Sequence, residues 1–218
     1  MSIKIHTLDA VKDIIPFTEK LKSVAKSAVS SVKKLLPIKD VDIVFYDNPG
    51  ATFDEGEIGG IGGFTQNAHT MFISLNPRHP NFKNALGNEL FFMLAHELNH
   101  TIRWQKQVEG DTLLEAMIFE GLADHFAMEV TERKEPTMYS AALTPGQKKT
   151  FFERAQKEWK NPTYHHNEWF YGSEPKIIPR WTGYTLGYDL VANYLRAHPE
   201  TLPSKLVRAD ATLFIEHM

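Results

Sequence analysis

Apolar residues recur at helical spacing through Leu21, Val24, Ala28, Val32 and Leu35, and predict a helix within residues 9–36 that Pro16 ends or kinks near its start and Pro37 closes. Its lysines, Lys20, Lys22, Lys26, Lys33 and Lys34, read as a solvated face. Residues 41–46 alternate as a strand, with a turn over 47–50. A glycine-rich run over 59–63 leads through Phe64 and Thr65 to a turn at 66–68, and residues 70–75 then alternate with Met71, Ile73 and Leu75 on one side. That is the pattern of a hairpin packed on the helix that follows. Leu90, Phe91, Met93 and Leu94 open that helix, and residues 112–127 read as another, with Leu113, Met117, Phe119, Leu122 and Phe126 available for burial. Residues 145–159 form a polar amphipathic helix, 161–181 a loop heavy in Trp, Tyr, His and Pro, and 180–196 a last helix that His198-Pro199 terminates. The pattern predicts a mainly helical α+β domain with a small sheet over the helix near residue 96. Residues 1–107 form its upper part and 108–218 its lower part.

The chemistry sits at His96-Glu97-Leu98-Asn99-His100, an H-E-x-x-H pattern. At ~100° per residue the two histidines lie only ~40° apart on one helical face, one turn above the other. Imidazoles so placed can grip one metal ion. Glu97, on the adjoining edge, can take a proton from water activated by that metal but is poorly placed to be a third ligand. A catalytic zinc needs three protein donors and one open position. The metzincin solution is absent, because Lys106 stands where its third histidine would be and Arg103 replaces its glycine. The second helix offers Glu120, with Asp124 one turn on to accept the free N–H of a ligating imidazole, for which His96 is the preferred partner. Glu115 competes, but it points ~140° away from Glu120 around the helix and lacks an aspartate one turn later. Gly121, which costs a helix ~1 kcal/mol, suggests that the backbone comes close to something there.

His96-Glu97-x-x-His100, followed by Glu120 at 120 − 100 = 20 positions on and then Asp124, resembles the gluzincin pattern of thermolysin-type zinc peptidases. More closely, residues 100–103, 119–124 and 183–188 are similar to the YjaZ-like family of predicted zinc-dependent proteases, over about the last 60% of the chain. The resemblance implies a zincin-like metallopeptidase with one Zn²⁺ per chain. Its ligands would be His96, His100 and Glu120, its general base Glu97. It also implies a donor for the oxyanion of the attacked carbonyl, for which Tyr184 is the first choice, with Tyr188 and Arg180 behind it. His165 and His166 are weaker candidates for contact with substrate or transition state. Arg103, one turn past His100, is expected to buttress a carboxylate. In thermolysin-like enzymes an edge strand beside the zinc pairs with extended substrate, and residues 61–65 stand in the matching place. Gly62, Gly63 and Phe64 are the expected contacts, a mobile surface loop being the alternative.

A net charge of −3 with both signs interspersed leaves no basic footprint for nucleic acid, and zero cysteines leave zinc to nitrogen and oxygen ligands. The four glycines are not a phosphate loop, since neither its lysine nor a following helix is there. No apolar run reaches signal-peptide length at the start or membrane-spanning length later, so the expectation is a cytoplasmic enzyme acting on a peptide or protein, with no membrane partner. A metal- or peptide-binding module without turnover, and a helical protein without metal, are the alternatives. The intact Glu97 argues against the first.

Overall fold

The computed structural model describes residues 2–10, 12–56, 58–106, 111–173 and 177–215. The chain divides into two compact units, one of Met1–Gln107 with Val130–Glu132, the other of Val108–Glu129 with Arg133–Met218. Both are built from α and β elements or helices alone, and no helix among the described residues is long and apolar enough to cross a membrane.

In the first unit, β1 (Ile3–Leu8), α1 (Thr18–Leu35), β2 (Val41–Asp47), β3 (Ile61–Asn67), β4 (Thr70–Leu75), the short α2 (Phe82–Ala85) and α3 (Asn88–Gln105) follow in order. The four strands form one mixed sheet in the order β1-β2-β4-β3, parallel except for the β3–β4 hairpin. In β2 every second residue, Val41, Ile43 and Phe45, is buried. In α1, Leu21, Val24, Ala28 and Val32 are buried, but Leu35, read from its spacing as part of that face, is exposed at the helix end. The predicted helix begins later than its pattern suggested, because Pro16 sits in a separate 3-10 turn over Ile15–Phe17. β1 has no counterpart in the expected elements. It is an edge strand whose burial alternates with Ile3, Ile5 and Thr7 half-buried, but its apolar pattern fades because the inward Thr7 is polar and the exposed Leu8 apolar. Gln66 and Asn67, expected in the turn, belong to β3, where the pairing with β4 shifts between Thr65 and Asn67. One extra residue there makes a bulge.

The second unit holds α4 (Leu113–Thr131) except its last two residues, α5 (Pro145–Glu158), α6 (His166–Tyr171), α7 (Thr182–Ala197) and two 3-10 segments, Pro203–Leu206 and Ala211–Ile215. α4 is buried almost all round because it separates two apolar clusters. Leu113 and Met117 join Trp169, Phe170 and Leu186 in one; Ile118 and Leu122 join Leu190, Val191 and Phe214 in the other. The stretch expected to be loop over 161–181 contains α6, which buries Trp169 and Phe170; residues 174–176 of that stretch lie outside the described residues. α4 and α7 meet backbone to backbone at two glycines. A Cβ on Gly187 would overlap the carbonyl of Met117, and one on Gly121 would overlap the carbonyl of Gly187 and approach Tyr188 N at 3.0 Å.

Candidate metal centre

From Leu90 to Arg103 nearly every residue of α3 is buried, including His96, Glu97, Asn99, His100 and Arg103. Burying this many polar groups in one helix is costly unless each is matched to a partner. Burial lowers the pKa of the Arg103 guanidinium to about 10. The helical pitch stacks His96 and His100, and their rings meet edge to face with Nε2 atoms 3.0 Å apart. A neutral imidazole carries one N–H and one lone pair, so two Nε2 atoms turned on each other either share one proton or aim both lone pairs at a cation. Tetrahedral zinc, with Zn–N bonds of about 2.0–2.1 Å, places neighbouring nitrogens roughly 3.3 Å apart. The His96–His100 spacing therefore fits two zinc ligands.

Glu97 is held from the sheet. Thr65 Oγ1 donates to Glu97 Oε2 at 2.7 Å and lies 3.0 Å from the main-chain oxygen of the same residue. Gly63 lies under the carboxyl group, where a Cβ would collide with Oε1, approach Cδ at 2.8 Å and press on Met93 Sδ at 2.5 Å. Side chains alternate along a strand, so Gly63 and Thr65 face α3 while Gly62 and Phe64 face the other way. Gly62 makes room for the Ala51 carbonyl and for Ser74 Oγ, and Phe64 is exposed beside its cross-strand neighbour Phe72. Of the three expected substrate contacts only Gly63 therefore adjoins Glu97. β3 is an edge strand, and Ile61 turns its backbone outward, its N–H to Ile58 O and its carbonyl to Phe53 N–H. Antiparallel strands repeat that direction every second residue, so the backbone of Gly63 also faces the open edge.

In the second unit Glu120 is half-buried on α4 and Asp124 fully buried one turn on. Glu115 is engaged at the start of the helix, accepting from the N–H (2.8 Å) and hydroxyl (2.8 Å) of Thr112 while Thr112 Oγ1 accepts from Glu115 N–H. This reciprocal arrangement is a capping box. Asp124 accepts from Tyr139 OH at 3.0 Å, from Thr137 Oγ1 at 3.2 Å and from Ser140 Oγ. The short run Thr137–Ser140 thus supplies three hydroxyls to one carboxylate. Its density of hydroxyls was the available signal, but spacing alone does not say which acid they serve.

Tyr184 packs edge to face against Tyr139 and Phe170, with ring centroids 5.2 and 5.1 Å away. Burial pushes its phenol well above the usual range, the negative charge of Glu120 adds to this, and so does a hydrogen bond with Tyr171. Tyr188 is differently placed. Its ring stacks on His125 at 4.2 Å, its carbonyl accepts from His125 Nε2 at 3.1 Å, and its phenol is raised by burial and then by Asp124 and Asp189. Arg180 lies over the Trp181 ring, and His165 precedes the first turn of α6. His166 stacks on Phe170 and pairs through Nδ1 with Tyr164 OH at 2.9 Å. Its pKa is lowered by burial and partly restored by Glu120, whereas Tyr164 is pushed up to about 12 by burial and then by Glu120. Tyr139, Tyr164, His166 and Tyr184 all feel the Glu120 charge.

Residues 21–216 match the family described as predicted Zn-dependent protease (DUF2268). Over 113 residues, 48% of this chain, the sequence is 26% identical to the uncharacterized protein YjaZ of Bacillus subtilis (strain 168). That match spans 42% of the length of the relative. No solved structure matches the chain. The family description implies a zinc cofactor, for which the paired imidazoles of α3 are suited ligands. With nine-tenths of its length matched, the chain belongs to the DUF2268 family of predicted Zn-dependent proteases.

Proposed function

We propose that the protein is a zinc-dependent peptidase in which Glu97 is the general base. The observation that carries this reading is the buried carboxyl of Glu97, seated on Gly63 and Thr65 and adjoining in sequence an imidazole whose Nε2 converges on that of His100. A module that only binds metal has no use for a carboxylate held in this way. His96, His100 and Glu120 are the ligands this reading requires, two imidazoles and one carboxylate for one zinc ion per chain. When bound, zinc lowers the pKa of water and polarises a carbonyl. Glu97 takes the proton of the attacking water and later delivers it to the leaving amine. The backbone of Gly63 at the open edge of β3 offers one donor and one acceptor to an extended peptide. Gly62 and Phe64 contribute by shaping that edge. Tyr184, kept protonated by burial and by Glu120, is the preferred donor to the oxyanion, since it lies close enough to the proposed ligand Glu120 to feel its charge. Asp124 and Arg103 act as buried supports of the ligand-bearing helices.

Zinc content by mass spectrometry and hydrolysis of fluorescein-labelled casein test the reading. Wild type is expected to carry zinc and to cleave casein. His96→Ala should lose most of the metal, and Glu97→Gln should keep the metal while losing at least ~100-fold in turnover. Equal zinc in wild type and His96→Ala, or full turnover in Glu97→Gln, overturns it.

A further inference from the structure

Resting on the peptidase reading, we infer that Thr65 is a positioning residue for Glu97: its hydroxyl clamps the carboxylate and the main chain of Glu97 together, and Gly63 walls the other carboxylate oxygen into the one place where the α3-facing side of β3 has no side chain. Thr65 and Glu97 are both buried, and Thr65 Oγ1 reaches Oε2 at 2.7 Å and the Glu97 carbonyl at 3.0 Å. One hydroxyl has one proton to donate; it points mainly at the nearer carboxylate oxygen and is shared with the carbonyl as a three-centre bond. The effect is to curl a side chain with three rotatable bonds back over its own backbone, where a glutamate tied at one end only would sample several rotamers. On the far side, Met93 Sδ and the Gly63 backbone close the space around Oε1 and Cδ.

Two further features of β3 serve this seat. Threonine is β-branched, so its χ1 is stiff and the oxygen is already aimed before Glu97 arrives. The ladder with β4 is irregular immediately after Thr65, between Thr65 and Asn67. Bulges bend a strand and re-aim its side chains, and this one lies where the Thr65 side chain must meet α3 rather than follow a flat pleat. The clamp acts through Glu97 and need not touch substrate. Its loss should therefore appear in the rate of the chemical step and not in substrate affinity or metal content.

Thr65→Val keeps the branched shape and removes the hydroxyl; Thr65→Ser keeps the hydroxyl and frees χ1. On fluorescein-casein, Thr65→Val is expected to lower kcat by about 10- to 100-fold with KM within about twofold of wild type and zinc per chain unchanged. Thr65→Ser should recover kcat to within about threefold, a rescue that a packing role would not produce. A second reading needs no turnover: Thr65→Val should lower Tm by about 3–6 °C when Glu97 is present and by little or nothing in a Glu97→Ala background. Wild-type kcat in Thr65→Val, or an equal Tm loss in both backgrounds, overturns the inference while leaving the peptidase reading intact if Glu97→Gln is inactive. Absence of casein hydrolysis by wild type overturns both, because there is then no base to position.

Discussion

Replacing Gly187 by alanine probes the closest helix crossing of the second unit. An added Cβ would overlap the Met117 carbonyl oxygen and stand 2.7 Å from its carbon, both of them backbone atoms that no side-chain rotation can move away. Relief requires α4 and α7 to part by roughly 1 Å, and a gap of that size forfeits about a quarter to a half of the dispersion well for each facing atom pair. Overpacking of this kind costs about 1–3 kcal/mol, and the backbone contact places it near the upper end. Against this, alanine is the better helix former by ~1 kcal/mol. The net expectation is a loss of about 2 kcal/mol, or a Tm lowered by roughly 4–8 °C for a chain of this size. Gly146 in α5 is the control, since a Cβ there meets nothing within 4 Å; its alanine variant should hold or gain stability. Thermal unfolding followed by circular dichroism reads both. A Gly187→Ala protein as stable as wild type, or more so, would show that the crossing tolerates a methyl group and that the reasoning from backbone contact is wrong.

Two other consequences are open to measurement. His125, buried under Tyr188, has its pKa lowered below the ordinary 6.5 chiefly by burial, so the unfolded chain binds its proton first as pH falls. Its neutral form therefore contributes stability that is fully present above about pH 6.5 and is lost as pH falls toward the lower folded value. Tm should drop more between pH 7.5 and 5.5 in wild type than in His125→Gln, and equal drops would refute the assignment. If Tyr184 donates to the oxyanion, Tyr184→Phe should lower kcat and kcat/KM together by roughly 10- to 1,000-fold without changing zinc content. A rate loss that appears instead in Tyr188→Phe would move the donor one helical turn.

The local geometry of the histidine pair was legible in the sequence, because positions four apart on a helix share a face whatever the helix packs against. The stacked Nε2 atoms of His96 and His100 are the direct outcome. The β3–β4 hairpin and the cores of α1 and α4 were legible for the same reason, each being a period repeated within a few residues. Gly121 signalled a close approach, but its partner, Gly187, lies 187 − 121 = 66 residues away, and nothing local to either names the other. β1 escaped because its alternating burial is carried by only two apolar residues, Ile3 and Ile5, before Thr7 and Leu8 break the apolar pattern, and α6 because six residues are too few to show a helical period. The seat of Glu97 on Thr65 and Gly63, like the three hydroxyls on Asp124, was decided by the tertiary structure alone. Sequence periodicity records which side of an element is buried. Which side chain of another element then meets it depends on strand register, bulge and helix crossing, and those are set by the packing of whole faces rather than by any residue in isolation.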